Sequence, residues 1–205
     1  MRHSPSEAWD REYSKPDPLW KGPPQADVSV SQGARVLELG CGNGKAIAAL
    51  AKNASEVVAV DISRVALRAC GAAVPSKVSL ARADVLHLPF ADRSFGEVAA
   101  FHVLEHISQH DRPLAVEEVR RVLVPGGIVH VRAFSTRDMR CGKGEEIEPM
   151  TFMRGNGIPY HYFTADELRS LFNGFEEVEM REATSPKRFD GKDYLRAELV
   201  AKYRA

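Results

Sequence analysis

The chain carries no net charge, with 28 Lys and Arg set against 28 Asp and Glu. That balance removes any global electrostatic reason to bind nucleic acid or an anionic membrane. Cysteine is scarce: Cys41, Cys70 and Cys141 are odd in number and share no CxxC spacing. Neither a disulfide framework nor a zinc site is indicated. No apolar run reaches membrane-spanning length, and the charged first fifteen residues hold no apolar stretch of a secretion signal. The expected location is the cytoplasm, with no membrane partner. What is present is ordinary for a folded protein: 205 residues, 44% hydrophobic and 27% charged, suit one domain able to bury a substantial core.

Apolar runs alternate with helix-like stretches between residues 34 and 134, the pattern of crossover units on a parallel sheet. The class is α/β. Strands are predicted at residues 34–39, 56–61, 78–83, 98–103 and 128–134, with helices at 45–52, 63–71 and 111–123. Ser63 suits an N-cap and Gly71 a left-handed stop, and Pro125-Gly126-Gly127 reads as the turn into the fifth strand. Residues 135–163 break the pattern with a glycine-rich, charged and aromatic insertion too long for a plain connection. Thr164 followed by Glu167 suits a capping box for a helix ending at Asn173-Gly174. Residues 175–181 and 197–203 read as two final strands.

The segment Gly40-Cys41-Gly42-Asn43-Gly44-Lys45 lies between a strand and a helix, where backbone must approach a ligand closely. A dinucleotide fingerprint needs a third glycine where this chain has Lys45, and a P-loop needs a glycine where it has Leu39 and Ser or Thr where it has Ala46. NAD, FAD and P-loop ATP are therefore disfavoured. What remains is Glu38 at a strand end followed by glycines at alternate positions, Asp61 ending the second strand, and Asp84-Val85 after the third. Leu88-Pro89-Phe90, the segment from Phe101 to Ile107 and Val124-Pro125-Gly126-Gly127 follow in order. This set resembles the class I S-adenosylmethionine-dependent methyltransferases from about residue 35 to residue 134, although Gly96 stands where the family commonly has Asp.

The resemblance implies a Rossmann-like, doubly wound, seven-stranded mixed sheet with an antiparallel last strand and an N-terminal helical lid. It divides the expected single domain into a lid segment (1–30), a cofactor core (34–134), a substrate-side insertion (135–163) and a C-terminal helix and hairpin (164–205). It implies S-adenosylmethionine as cofactor and S-adenosylhomocysteine as product. Glu38, Gly40, Cys41, Gly42 and Gly44 would form the cofactor loop. Asp61 with Ile62 would meet the ribose, Asp84 with Val85 the adenine, and Phe101 would border the donor. Tyr13 or Trp20 would cover it.

Methyl transfer from a sulfonium needs alignment more than catalytic groups, with a base for some acceptors. His102 and His161 are the candidate bases, since an imidazole titrates near neutrality; His106 reads as packing against the cofactor side. His102, His106 and His110 stand at helical spacing, yet one row of histidines without supporting carboxylates does not make a metal site. No metal is expected. The acceptor is read as a small molecule, held near the acids Glu145, Glu146 and Glu148 of the insertion, by a monomer or homodimer. Two rivals stand beside it: an RNA- or protein-modifying enzyme, suggested by Lys187, Arg188, Lys192, Arg196, Lys202 and Arg204, and a protein that binds S-adenosylmethionine without transferring its methyl group.

Overall fold

A computed structural model describes residues 4–16, 28–71, 74–189 and 191–205. Five strands run parallel: β1 (Arg35–Leu39), β2 (Glu56–Asp61), β3 (Val78–Arg82), β4 (Phe95–Phe101) and β5 (Leu123–Phe134). They are joined by α2 (Ile47–Asn53), α3 (Arg64–Gly71) and α4 (Arg112–Val122), preceded by α1 (Pro5–Tyr13). Three short strands follow, β6 (Glu145–Glu148), β7 (Thr151–Met153) and β8 (Pro159–His161), then α5 (Ala165–Leu171) and the hairpin β9 (Glu176–Phe189) with β10 (Lys192–Arg204). The main sheet has the order β3-β2-β1-β4-β5-β10-β9, with β10 antiparallel to both of its neighbours. This is the seven-stranded mixed sheet that the sequence predicts.

Alternation along the central strands explains why the sheet sits inside the molecule. Leu37, Val58, Val60, Val98 and Ala100 face one core with Val116 and Val119 of α4 and Leu168 of α5, whereas Val36, Val57, Ala59 and Ala99 face another with Ile47, Leu50 and Cys70. Strands apolar on both sides need helices on both sides. One polar pair interrupts the second face. His130 Nε2 lies 2.5 Å from Glu97 Oε2, and the Ser31 N–H donates to Glu97 Oε1 at 2.8 Å. Burial alone raises the Glu97 pKa, but the hydrogen bonds from His130 and Ser31 outweigh it and hold the carboxyl below its usual range.

Several boundaries differ from the sequence reading. Strand β4 ends at Phe101, because His102 takes a left-handed φ of 55° that no strand continues. Strand β5 starts at Leu123 and includes the Pro-Gly-Gly stretch, with a register break between Phe95 and Glu97. Gly71 is the last residue of α3 and has no left-handed φ; Gly174, after α5, has one of 85°. The insertion is folded, its three short strands pairing antiparallel as β6-β7-β8. The final hairpin is far longer than predicted: β5 pairs only with Glu198–Arg204 of β10, so the outer half of the hairpin projects past the sheet.

Candidate functional site

Ligands of doubly wound sheets sit beyond the carboxyl ends of the strands where the strand order reverses. Here that place lies between β1 and β4, and the glycine turn follows β1. Gly40, Gly42 and Gly44 have φ values of 63°, 54° and 84°, a region that costs side chains with a Cβ about 1–2 kcal/mol. A Cβ on Gly40 would lie 3.0 Å from Val103 Cγ2, one on Gly44 would lie 2.8 Å from Cys70 Sγ, and one on Gly42 would collide with the Tyr13 hydroxyl. The turn is thus a cradle without side chains, with Tyr13 of α1 lying over it.

Asp61 closes this cradle. Gly42 N–H donates to Oδ2 and Ser63 N–H to Oδ1, each at 2.8 Å. Burial nevertheless raises the Asp61 pKa against these bonds. Ser63 Oγ caps α3 by accepting from Ala66 N–H at 3.1 Å and donates to Asp10 Oδ1 at 2.6 Å, which docks α1 on α3. Glu38 is buried on β1 with Oε2 lacking any partner, and burial pushes its pKa well up. Cys41 N–H bonds to Val60 O at 2.9 Å and its thiol lies 3.9 Å from the Gly42 carbonyl; the neighbouring Cys70 thiol and burial lift the Cys41 pKa, and the same neighbour lowers that of Cys70. Ile62 follows Asp61, and its carbonyl accepts from Arg82 Nε at 3.0 Å. Asp84 turns its own loop by accepting from Leu86 N–H at 3.0 Å, and Val85 packs on the core. Phe101 lies at the end of β4 against the other core. Trp20 falls outside the described residues. The glycine cradle, the Asp61 carboxylate and the orphaned Glu38 oxygen fit a ligand that presents hydrogen-bond donors across the turn.

The two histidines proposed from sequence are held in different surroundings. His102 is bracketed by carboxylates, Nδ1 at 2.9 Å from Glu105 Oε1 and Nε2 at 3.0 Å from Glu198 Oε2, and Glu198 also accepts from Arg132 at 3.0 Å. Burial disfavours its charge, but Glu105 and Glu198 outweigh burial and raise its pKa to about 9. His161 is buried within an Arg112 network remote in sequence from the glycine turn: Nδ1 lies 2.8 Å from Thr151 Oγ1 and Nε2 lies 2.8 Å from Glu167 Oε1. The helical row of His102, His106 and His110 does not form, because only residues 104–106 coil there, as a single 3-10 turn. Among the described residues no group of three His, Cys, Asp or Glu side chains is placed to hold a metal ion.

The raised His102 pKa makes a stability prediction. Because the folded value exceeds the ordinary 6.5 of a free imidazole, the stabilisation is complete below about pH 6.5 and is lost as pH rises through about 9. The loss is on the order of 3 kcal/mol. Thermal melts from pH 6.5 to 9.5 should fall by roughly 5–10 °C more for the native chain than for His102→Gln; parallel curves would show that the pair of carboxylates adds nothing.

Three further groups lie beside this site, of which the sequence offers Glu105 and His106 through their place after the fourth strand but gives no signal for Glu12. Glu105 is fully buried with Oε2 unpartnered. His106 shares its Nδ1 proton with the Pro159 carbonyl at 2.7 Å, and burial lowers its pKa, so its ring is neutral. Glu12 of α1 is only 2% exposed. The rings of Trp9 and Tyr160 each meet His106 edge-on at 4.9 Å, so α1, the turn after β4 and β8 converge on one histidine.

Residues 37–131 match the family model described as a methyltransferase domain. The chain is 40% identical over 106 residues to methyltransferase GfsG of Streptomyces halstedii, covering 49% of this chain and 37% of that protein. It is 27% identical over 166 residues to the tRNA N(3)-cytidine methyltransferase METTL2 of Danio rerio, covering 73% of this chain and 47% of that one. The chain thus spans less than half the length of these two relatives. Among solved structures, an S-adenosylmethionine-dependent methyltransferase from Methanosarcina mazei superposes with a TM-score of 0.67 at 22% identity, covering 85% of this chain and 93% of that one. With the sheet order, the glycine cradle and the acid ending β2, these likenesses mark residues 37–131 as a methyltransferase domain with the fold of the S-adenosylmethionine-dependent methyltransferase from Methanosarcina mazei.

Proposed function

We propose that this chain moves a methyl group from S-adenosylmethionine to a small-molecule acceptor seated between α1, the 3-10 turn and β8. The single observation that carries the reading is the left-handed glycine cradle clamped by Asp61, with a buried Glu38 oxygen open beside it. When bound, S-adenosylmethionine supplies an activated methyl group that already carries its leaving group. The chain's own task is alignment and exclusion of water. Glu38, the Gly40–Gly44 turn, Asp61 with Ile62, Asp84 with Val85, and Phe101 hold the donor; Tyr13 covers it. His106, neutral and oriented by Pro159, receives a proton from the acceptor. His102 serves as an imidazolium that ties the end of β4 to Glu198 of β10, and His161 anchors the inserted sheet.

S-adenosylhomocysteine should stabilise the native chain by about 2.7 kcal/mol at a hundredfold excess over its dissociation constant. Asp61→Ala should lose that shift while remaining folded by circular dichroism. Stabilisation by NAD in its place would overturn the assignment. Labelled donor mixed with fractionated extract would then locate the acceptor, and binding without any label transferred would make the chain a sensor of S-adenosylmethionine.

A second reading, an RNA acceptor, is favoured by the likeness to a tRNA methyltransferase and by the projecting hairpin. There Lys187 pairs in register with Tyr194, and Lys192 stands two residues along on the same face. Stacking and phosphate contacts on that arm would give tRNA binding that falls steeply with salt. A flat salt profile removes this reading.

A further inference from the structure

We propose that the acceptor is an amine and that Glu12 recognises it, an assignment that rests on the methyl-transfer reading above. Ala8 and Glu12 lie one turn apart on the face of α1 turned toward the body of the protein. Ala8 packs with Phe134, Phe152, Ile158 and Tyr160, so the Glu12 carboxylate stands at the edge of an apolar contact. Its Oε2 accepts from Lys15 Nζ at 2.5 Å and from Asn156 Nδ2 at 3.4 Å. Its Oε1 is buried and has no partner. A buried acceptor left unmade costs about 1–3 kcal/mol, and more when charged, unless a ligand supplies the donor.

The surroundings indicate which donor. Asn156 Nδ2 also donates to the Tyr160 hydroxyl at 3.2 Å, and the Tyr160 ring meets His106, which meets Trp9. The unpartnered oxygen is thus linked through Asn156 and Tyr160 to the histidine on which α1, the 3-10 turn and β8 converge. Glu105, one residue before His106, also has a buried and unpartnered carboxylate oxygen. Of the nearby cations, Lys15 holds the other Glu12 oxygen, Arg140 binds Asp138 and stacks on Phe134, and Arg154 donates to the Tyr162 hydroxyl and stacks on Tyr160; none is bonded to Oε1. Carboxylate oxygens set among aromatic rings suit a nitrogen that bears N–H groups and positive charge better than a hydroxyl. In the reaction the bound ammonium first gives one proton to a base, and the freed lone pair then forms the N–C bond as the S–C bond breaks with its electron pair kept by sulfur, leaving the methylated ammonium. The base is the His106 ring, whose Nδ1 donates to the Pro159 carbonyl.

Calorimetry on the full chain saturated with S-adenosylhomocysteine tests this, using 2-phenylethylamine as probe and 2-phenylethanol as its uncharged counterpart. The amine should bind about tenfold more tightly than the alcohol, and Glu12→Gln should weaken the amine by about tenfold with S-adenosylhomocysteine affinity unchanged. An amine that fails to bind, binds no better than the alcohol, or is indifferent to Glu12→Gln overturns the proposal. A variant that weakens S-adenosylhomocysteine alone also overturns it, by giving the carboxylate to the donor's own ammonium group. Should Glu12→Gln fail to fold, the amine and alcohol titrations of the native chain decide. A native chain that binds no S-adenosylhomocysteine at all overturns the methyl-transfer reading, and the amine assignment with it.

Discussion

Gly42→Ala should lower affinity for S-adenosylhomocysteine on the order of a hundredfold, with the chain still folded. Two costs combine. Alanine at a φ of 54° is strained by about 1–2 kcal/mol. Its Cβ also overlaps the Tyr13 hydroxyl, so α1 must shift from its place over the turn. The two costs are separable, because removing the hydroxyl leaves only Tyr13 Cζ at 3.4 Å from that Cβ, an ordinary contact. Adding Tyr13→Phe to Gly42→Ala should therefore restore part of the affinity, and a double-mutant cycle measured by calorimetry reads the coupling. Strict additivity would mean that α1 does not cover the turn in solution.

The largest effect on stability is expected at Arg112, which is 3% exposed on α4. Its guanidinium donates to Ile107 O at 3.1 Å and Thr151 Oγ1 at 3.3 Å, lies 3.6 Å from Glu167 and 3.9 Å from Glu148, and sits over the Phe163 ring. One side chain thus joins α4, the segment after the 3-10 turn, the inserted sheet and α5. Arg112→Met keeps the stem but leaves the neighbouring carboxylates and the Thr151 hydroxyl uncompensated, a loss of about 3–5 kcal/mol. Urea unfolding should show it, together with a melting temperature roughly 10 °C lower. Arg112→Lys should recover little, since a point charge cannot reproduce the planar fork. A loss below about 1 kcal/mol would show that water already screens the network.

The parts legible in the sequence are those in which one residue type has one physical use. Glycines at alternate positions after Leu39 require left-handed backbone, and all three have it; the aliphatic runs of β1, β2 and β4 require burial on both sides, and they receive it. The inserted sheet was illegible because its strands are three or four residues long and β6 is Glu-Glu-Ile-Glu, which carries no strand-like alternation. The outer hairpin hid for a related reason, since Thr184–Arg188 is exposed and polar on both faces. His102 and Glu12 show the limit for the site. The charge state of His102 depends on Glu198, which lies 96 positions away in the chain, and the burial of Glu12 depends on where α1 docks. Neither partner is visible in the local sequence.

The Glu97 and His130 pair has a consequence for how the strands find one another. Most cross-strand neighbours of β4 and β5 are interchangeable aliphatics, Val98 beside Val129 and Ala100 beside Val131, and a slip along such a seam changes little in apolar contact. A slip of one residue would send the Glu97 carboxylate to the opposite core and part it from both His130 and the Ser31 N–H. The native alignment satisfies the carboxylate on both oxygens, so this buried acid acts as an index mark for the register of β4 and β5.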